Sequence, residues 1–284
     1  MASLRDIRRR IRSVRNMAQL TRAMQMVAAS RMRRAQQRVL ASRPYSEAMR
    51  TMLGELSQQR ADPSDLHPLL QTRPVRRVGY VIFTSDKGLA GALNGNVLRR
   101  ATEEILARPV DPALVTVGRK GQDFFTRRGR SLMASFIGVG LGEYSDIVPV
   151  ARIITEAYIS EDVDAVDLVF PRFVTTLTQQ PMVTRLLPLR DFEEHGTALE
   201  FIVEPSPEEL MSALLPRYVE VELYQALLET IASEHSARMV AMRNATENAQ
   251  DIVQALTLSY NKARQASITK EITEIAGAAE ALAS

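Results

Sequence analysis

All but one of the chain's 26 glycines and prolines lie between Pro44 and Pro216, and the exception is Gly277. Residues 1–43 and 217–276 therefore contain neither residue type. Gly costs a helix interior about 1 kcal/mol and Pro about 3 relative to Ala, so these spans are free to run as unbroken helices. At 1.5 Å per residue they would reach roughly 65 and 90 Å, several times the usual ~11–12 residues. A helix of that length with no globular body around it needs a partner helix, which predicts a coiled coil.

The apolar spacing agrees with this. Leu4, Ile7, Ile11 and Val14 alternate by three and four, and Met17, Leu20, Met24 and Val27 continue the seam after a local shift. In the second span Tyr224, Leu228, Ile231, Met239, Met242, Ala249, Ile252, Leu256, Ala263, Ile268, Ile272 and Ile275 form a drifting stripe. The methionines read as adaptable packing. Ser3 with Asp6, and Ser206-Pro207-Glu208-Glu209, carry helix-start chemistry; Pro44 and Pro216 are expected to kink their helices, or in the case of Pro44 to end it.

Residues 74–204 read differently. Strand-like Val78–Phe83, Leu114–Val117, Ser135–Val139 and Val166–Phe170 alternate with short helices at 95–106, 122–126 and 147–159. Met182–Leu187 and Leu199–Val203 follow as antiparallel edge strands. That alternation predicts an α/β layer with a mostly parallel sheet. The chain thus divides into an N-terminal coiled-coil helix (1–59), a polar linker, a central Rossmann-like α/β domain (74–204) and a C-terminal coiled-coil helix (207–284).

The formal charge of +3 conceals a division by region. Residues 1–38 hold eleven Arg and one Asp, a net +10, whereas residues 217–284 hold six basic and nine acidic residues, a net −3. An antiparallel partner helix cannot neutralise that surplus, which calls for an acidic protein surface, nucleic acid, a membrane surface or plain solvation. Nucleic acid favours stacking aromatics among the cations, and the first 43 residues have no Phe, Tyr or Trp. No apolar run approaches ~18 residues, so direct membrane insertion is not expected.

Catalytic signals are weak. There is no cysteine, and His67, His195 and His235 are far apart. The turn Ser85-Asp86-Lys87-Gly88-Leu89-Ala90-Gly91-Ala92-Leu93-Asn94 sits where a phosphate would sit in a nucleotide-binding fold, but fits neither phosphate-loop nor dinucleotide pattern. It reads as a turn with close backbone approach. Val117-Gly118-Arg119-Lys120-Gly121 fits no better, and the chain is not expected to be an enzyme by itself.

Three segments carry a resemblance. The start Met1-Ala-Ser-Leu-Arg-Asp-Ile-Arg-Arg-Arg-Ile-Arg-Ser-Val with Leu20–Ser30, the central Ser85-Asp86-Lys87-Gly88-Leu89, and Leu256–Ile275 around Asn261-Lys-Ala-Arg-Gln closely resemble the gamma subunits of bacterial F-type ATP synthases. The resemblance implies a non-catalytic central-stalk rotor without bound cofactor. Its two terminal helices would form an antiparallel, left-handed coiled coil in the bore of an alpha/beta hexamer (3:3:1). Its α/β domain would stand beside the epsilon subunit on the membrane c-ring, coupling proton flow to ATP synthesis. Met24, Arg31, Arg33, Arg34, Arg264 and Gln265 match positions that contact the beta subunit. Ile268, Ile272, Ile275, Ala278, Ala279 and Leu282 would form a bearing tip in the bore. The resemblance, with no leader-like break after the basic helix, implies a peripheral location on the cytoplasmic face of a bacterial plasma membrane. Ala90 and Ala92 depart from the family turn, which often has Cys and Gly there. The alternative is a basic coiled-coil nucleic-acid-binding protein.

Overall fold

The computed structural model describes residues 4–58, 67–190 and 206–283. Five helices and five strands form the framework: α1 (Leu4–Gln58), β1 (Arg77–Phe83), α2 (Leu93–Ala107), β2 (Asp111–Val117), α3 (Arg119–Thr126), β3 (Ala134–Phe136), α4 (Val148–Ile159), β4 (Ala165–Phe173), β5 (Gln179–Leu187) and α5 (Pro207–Ala283). By its internal contacts the chain separates into two units, residues 28–238 and residues 1–27 with 239–284.

The larger unit is built on a sheet of order β3-β2-β1-β4-β5, parallel except for the antiparallel edge strand β5. Side chains of a strand alternate between faces, and β1 shows it. Val81 and Phe83 join a core with Ile147, Ile154, Met49, Leu53, Leu215 and Leu227, whereas Val78, Tyr80 and Ile82 pack with Val97, Leu98 and Ala101 of α2. The third strand is shorter than expected, ending at Phe136 because the chain turns at Gly138, where φ is +85°. The segment 199–203, expected as a strand, lies outside the described residues.

Both prolines sit inside continuous helices, so Pro44 does not end α1. Beyond it Met49, Leu53 and Leu56 are buried, and around Pro216 Met211, Leu215 and Val219 are buried. Burying each such side chain contributes about 1.5–3 kcal/mol, enough together to offset one proline. The start of α5 has the expected cap: Glu209 N–H donates to Ser206 Oγ at 3.2 Å.

The smaller unit is an antiparallel helix pair. Its register is set by the Thr21 and Thr246 hydroxyls, 2.7 Å apart, and by an Arg8 hydrogen bond to the Tyr260 hydroxyl. The seam on α1 differs from the expected one. Ile7, Ile11 and Thr21 are buried and Val14 and Ala18 half-buried, while Met17, Leu20 and Val27 are more than half exposed. The three-four spacing therefore runs on without a shift through small and hydroxylated residues. On α5, Met242, Thr246 and Ala249 are buried and Val253, Leu256, Tyr260 and Ala263 half-buried, while Ile252 and Ile268 face away. This strict heptad spacing is that of a left-handed pair.

Candidate functional site

The arginines at 31, 33 and 34 owe their exposure to their neighbours. Between 28 and 39, α1 buries Ala28, Met32, Ala35 and Val39 and leaves Arg31, Arg33, Arg34 and Arg38 outside. Arg38 is used internally, donating to the Leu141 carbonyl and, at 3.3 Å, to that of Gly142. Arg31 and Arg34 line a cleft of about 190 Å³ with Leu228, Ile231 and His235. Among the described residues, no carboxylate lies within ion-pair distance of Arg31, Arg33 or Arg34.

Below this cleft Glu234 feels the charge of Arg31 but is bound by Arg238. Burial pushes the His235 imidazole down to about 4, and the charges of Arg238 and Arg31 push the same way, so it is neutral at pH 7. The buried Glu234 pairs with Arg238 at 2.7 Å, and its pKa is raised by burial against the pull of that guanidinium. Arg238 in turn donates to the Gly88 carbonyl at 3.0 Å and the Lys87 carbonyl at 3.3 Å. This polar group, which ties α5 to the turn after β1, was not foreseen from the sequence. Its one visible trace is the polar run Thr230, Ser233, Glu234, His235 and Ser236 in a stretch where every residue is buried.

Three further bonds fasten α5 to the far end of β4. Ser233 Oγ donates to the Pro171 carbonyl at 2.9 Å, Ser236 Oγ donates to that of Thr176 at 2.7 Å, and Phe173 N–H donates to Glu229 at 2.8 Å.

The turn 85–94 is closed by its own chain. Ser85 N–H donates to Asn94 Oδ1 at 3.0 Å, and Asn94 Nδ2 donates back to Ser85 Oγ at 2.8 Å. Asp86 accepts the N–H groups of Arg119 and Gly138, both at 3.0 Å, and Thr84 Oγ1 accepts that of Gly121 at 2.8 Å. In an open α/β sheet a ligand phosphate would use such donors at the carboxyl ends of the strands. Here the Asp86 carboxylate already holds them. Among the described residues there is no group of three His, Cys, Asp or Glu side chains that could hold a metal ion.

Met24 belongs to the smaller unit and is half-buried. On α5 of the same unit Arg264 and Gln265 are exposed, as are Ile268, Ile272 and Ile275 at 47%, 62% and 70%. Extending the Thr21–Thr246 and Arg8–Tyr260 register brings the first turn of α1 opposite Ala263. About 20 residues of α5, or roughly 30 Å, continue past the end of their partner. The side chains of Ala278, Ala279 and Leu282 lie outside the described residues. Among those described, no helix is long and apolar enough to cross a membrane.

A family model described as ATP synthase matches residues 3–282. The ATP synthase gamma chain of Pelotomaculum thermopropionicum is 47% identical over 99% of this chain and 100% of its own length. That of Roseiflexus castenholzii is 50% identical over 100% of this chain and 99% of its own. Among solved structures, a chain of the central stalk and c-ring of Tetrahymena thermophila mitochondrial ATP synthase aligns with a TM-score of 0.64 and 26% identity, over 80% of this chain and 99% of that one. A chain of the Euglena gracilis mitochondrial ATP synthase in rotational state 3 shares the fold, with a TM-score of 0.69 at 20% identity over 98% and 94%.

Proposed function

Because the chain belongs to the ATP synthase gamma-chain family, we propose that it works as the central-stalk shaft of a rotary ATP synthase, turned by a membrane c-ring inside an alpha/beta hexamer. It is a non-catalytic subunit of that machine, in a 3:3:1 assembly with alpha and beta, and epsilon stands beside its α/β unit. It lies peripherally on the cytoplasmic face of a bacterial plasma membrane. The observation that carries this reading is the exposed row Arg31, Arg33 and Arg34, which has no carboxylate partner among the described residues.

The mechanism follows from where rigidity lies. Rotation entering at the α/β unit passes into α5 through the Arg238 bonds to the turn after β1 and the Ser233, Ser236 and Glu229 bonds at β4. These are short polar contacts, that of Ser233 buried and the others part-buried, and breaking the buried one strands a desolvated group at about 1–3 kcal/mol. The rotating arginines then meet acidic elements of successive beta subunits. Met24 packs beside such an element, and Arg264 with Gln265 hydrogen-bonds beta-subunit loops at a dwell. A guanidinium fork suits such a latch, since it can bridge a carboxylate with two parallel bonds. The overhanging end of α5, with Ile268, Ile272, Ile275, Ala278, Ala279 and Leu282, is the bearing tip.

Co-expression with alpha and beta subunits tests the assembly, which should purify as 3:3:1 and hydrolyse ATP. Within it, Arg33→Glu with Arg34→Glu should leave hydrolysis measurable and cut ATP-driven proton pumping in reconstituted vesicles several-fold. Unchanged pumping per ATP would remove the arginine row from the coupling path.

A further inference from the structure

A second concentration of arginine lies at the other end of the sheet, outside everything used above. Between α2 and β5 a cleft of about 530 Å³ is lined by Arg100, Arg108, Arg185 and Arg190, with Glu104 and Asp167 the two acidic groups among them. Four cations face these two lining carboxylates, and Glu103 is a third acid 3.9 Å from Arg100 Nη1.

The two acids are placed so as to fix the arginines. Asp167, 1% exposed on β4, accepts from Arg108 Nη1 at 2.6 Å through one oxygen and from Arg185 Nε through the other. Glu104, on the last turn of α2, accepts from Arg108 Nη2 at 2.7 Å and Arg100 Nη2 at 3.2 Å. Arg108 is thereby consumed. Among the described residues Arg185 is held through Nε, which leaves both terminal nitrogens of its fork unused there. Arg190 donates from Nη2 to Thr72 Oγ1 at 2.9 Å. Among the described residues, Arg185 and Arg190 thus present guanidinium donors to this space with no carboxylate against them, beside Arg100, whose Nη2 has Glu104 at 3.2 Å and whose Nη1 has Glu103 at 3.9 Å. Like charges so close repel unless an anion joins them.

We propose that this cleft binds a phosphate group, gripped by the guanidinium ends of Arg100, Arg185 and Arg190. Guanidinium matches phosphate geometry with paired N–H bonds, and arginines outnumber carboxylates around the cleft even with Glu103 counted. Among the described lining residues, Val183 and Pro188 are the apolar members and none is an aromatic ring that would stack on a base. The ligand is therefore an inorganic phosphate or pyrophosphate, or the phosphate of an anionic lipid headgroup, and not a nucleoside held by its ring. Asp167 is a positioning residue, which orients Arg185 without touching the ligand.

Calorimetric titration of the full chain with pyrophosphate and with inorganic phosphate, in low-salt chloride buffer, should show one saturable site of sub-millimolar affinity. Arg100→Gln with Arg190→Gln should weaken it at least tenfold while leaving the unliganded thermal midpoint unchanged. The matched loss Arg127→Gln with Arg130→Gln, on the exposed stretch after α3, should have no effect. Co-sedimentation with phosphatidylcholine vesicles, with and without phosphatidylglycerol, separates the sources. Retention by the anionic vesicles alone, lost in the Arg100/Arg190 variant, would assign the lipid headgroup even without heat from free phosphate. The proposal is overturned if neither probe binds, or if both pairs of substitutions weaken binding equally, which would show general charge attraction only.

Discussion

The hydroxyls of Thr21 on α1 and Thr246 on α5 meet at 2.7 Å in a buried seam, 225 residues apart in the chain. Each also reaches a carbonyl of its own helix, Thr21 to Met17 at 3.1 Å and Thr246 to Met242 at 2.8 Å. Replacing either by Val removes the cross-helix bond but leaves the other hydroxyl a local partner. Each single substitution should cost about 1 kcal/mol, and the double substitution less than the sum of the two. Denaturant midpoints followed by helical circular dichroism check this, and strict additivity would mean the two hydroxyls do not interact.

Gly118 carries a sharper prediction. Its φ is +101°, and a Cβ built there would stand 2.0 Å from the Thr84 carbonyl oxygen. Backbone on both sides of the clash is fixed by the sheet, so it cannot yield as a side-chain end would. Gly118→Ala should cost upwards of about 3 kcal/mol through strain and steric overlap combined. Wild-type yield and melting behaviour in that variant would contradict the close approach of β1 and β2 ends.

His235 predicts an acid limb of stability. Its folded pKa, about 4, lies below the ordinary 6.5, so between those values the unfolded chain binds more protons. Stability is then full above about pH 6.5 and falls as pH drops towards 4, by about 3 kcal/mol from this group. Glu234 acts in the opposite sense, because its folded pKa is raised and protonation favours the folded chain. Comparing wild type with His235→Gln across pH 4–7 isolates the histidine, and the variant should show the shallower acid loss. Identical slopes would show that His235 does not titrate as a buried neutral group.

Ile272 is 62% exposed beyond the end of the helix pair. Ile272→Gln should leave the stability of the isolated chain within ±0.5 kcal/mol, as expected for an uncontacted surface site. In the assembled ATPase the same substitution should alter hydrolysis rate or torque if the proposed bearing role holds, since a bearing is felt only when housed. A change in the isolated chain with none in the assembly would reverse the assignment.

The long helices were legible because backbone cost depends on residue type alone, and residues 1–43 and 217–276 carry no Gly or Pro. The face of the seam was harder to read. Apolar size pointed to Met17, Leu20 and Val27, whereas the buried phase belongs to Ala18 and Thr21, since a close helix pair selects small residues and leaves large ones outside. The basic row at 31–34 was visible as an unbalanced charge. Glu234, His235 and Arg238 were not, because α5 is buried on all sides there and a helix buried all round has no amphipathic period to betray its polar members. The α2–β5 cleft draws its arginines from two elements distant in sequence and the residues just after them, and only the fold brings them together.

Asp86 has a consequence for how this protein can be controlled. By holding the amides of Arg119 and Gly138, it supplies from within the negative charge that a ligand would otherwise bring to the end of the sheet. The same turn offers the Lys87 and Gly88 carbonyls that Arg238 of α5 grips. That contact is therefore completed by the chain's own residues, and a phosphate reaching the crevice would have to displace Asp86.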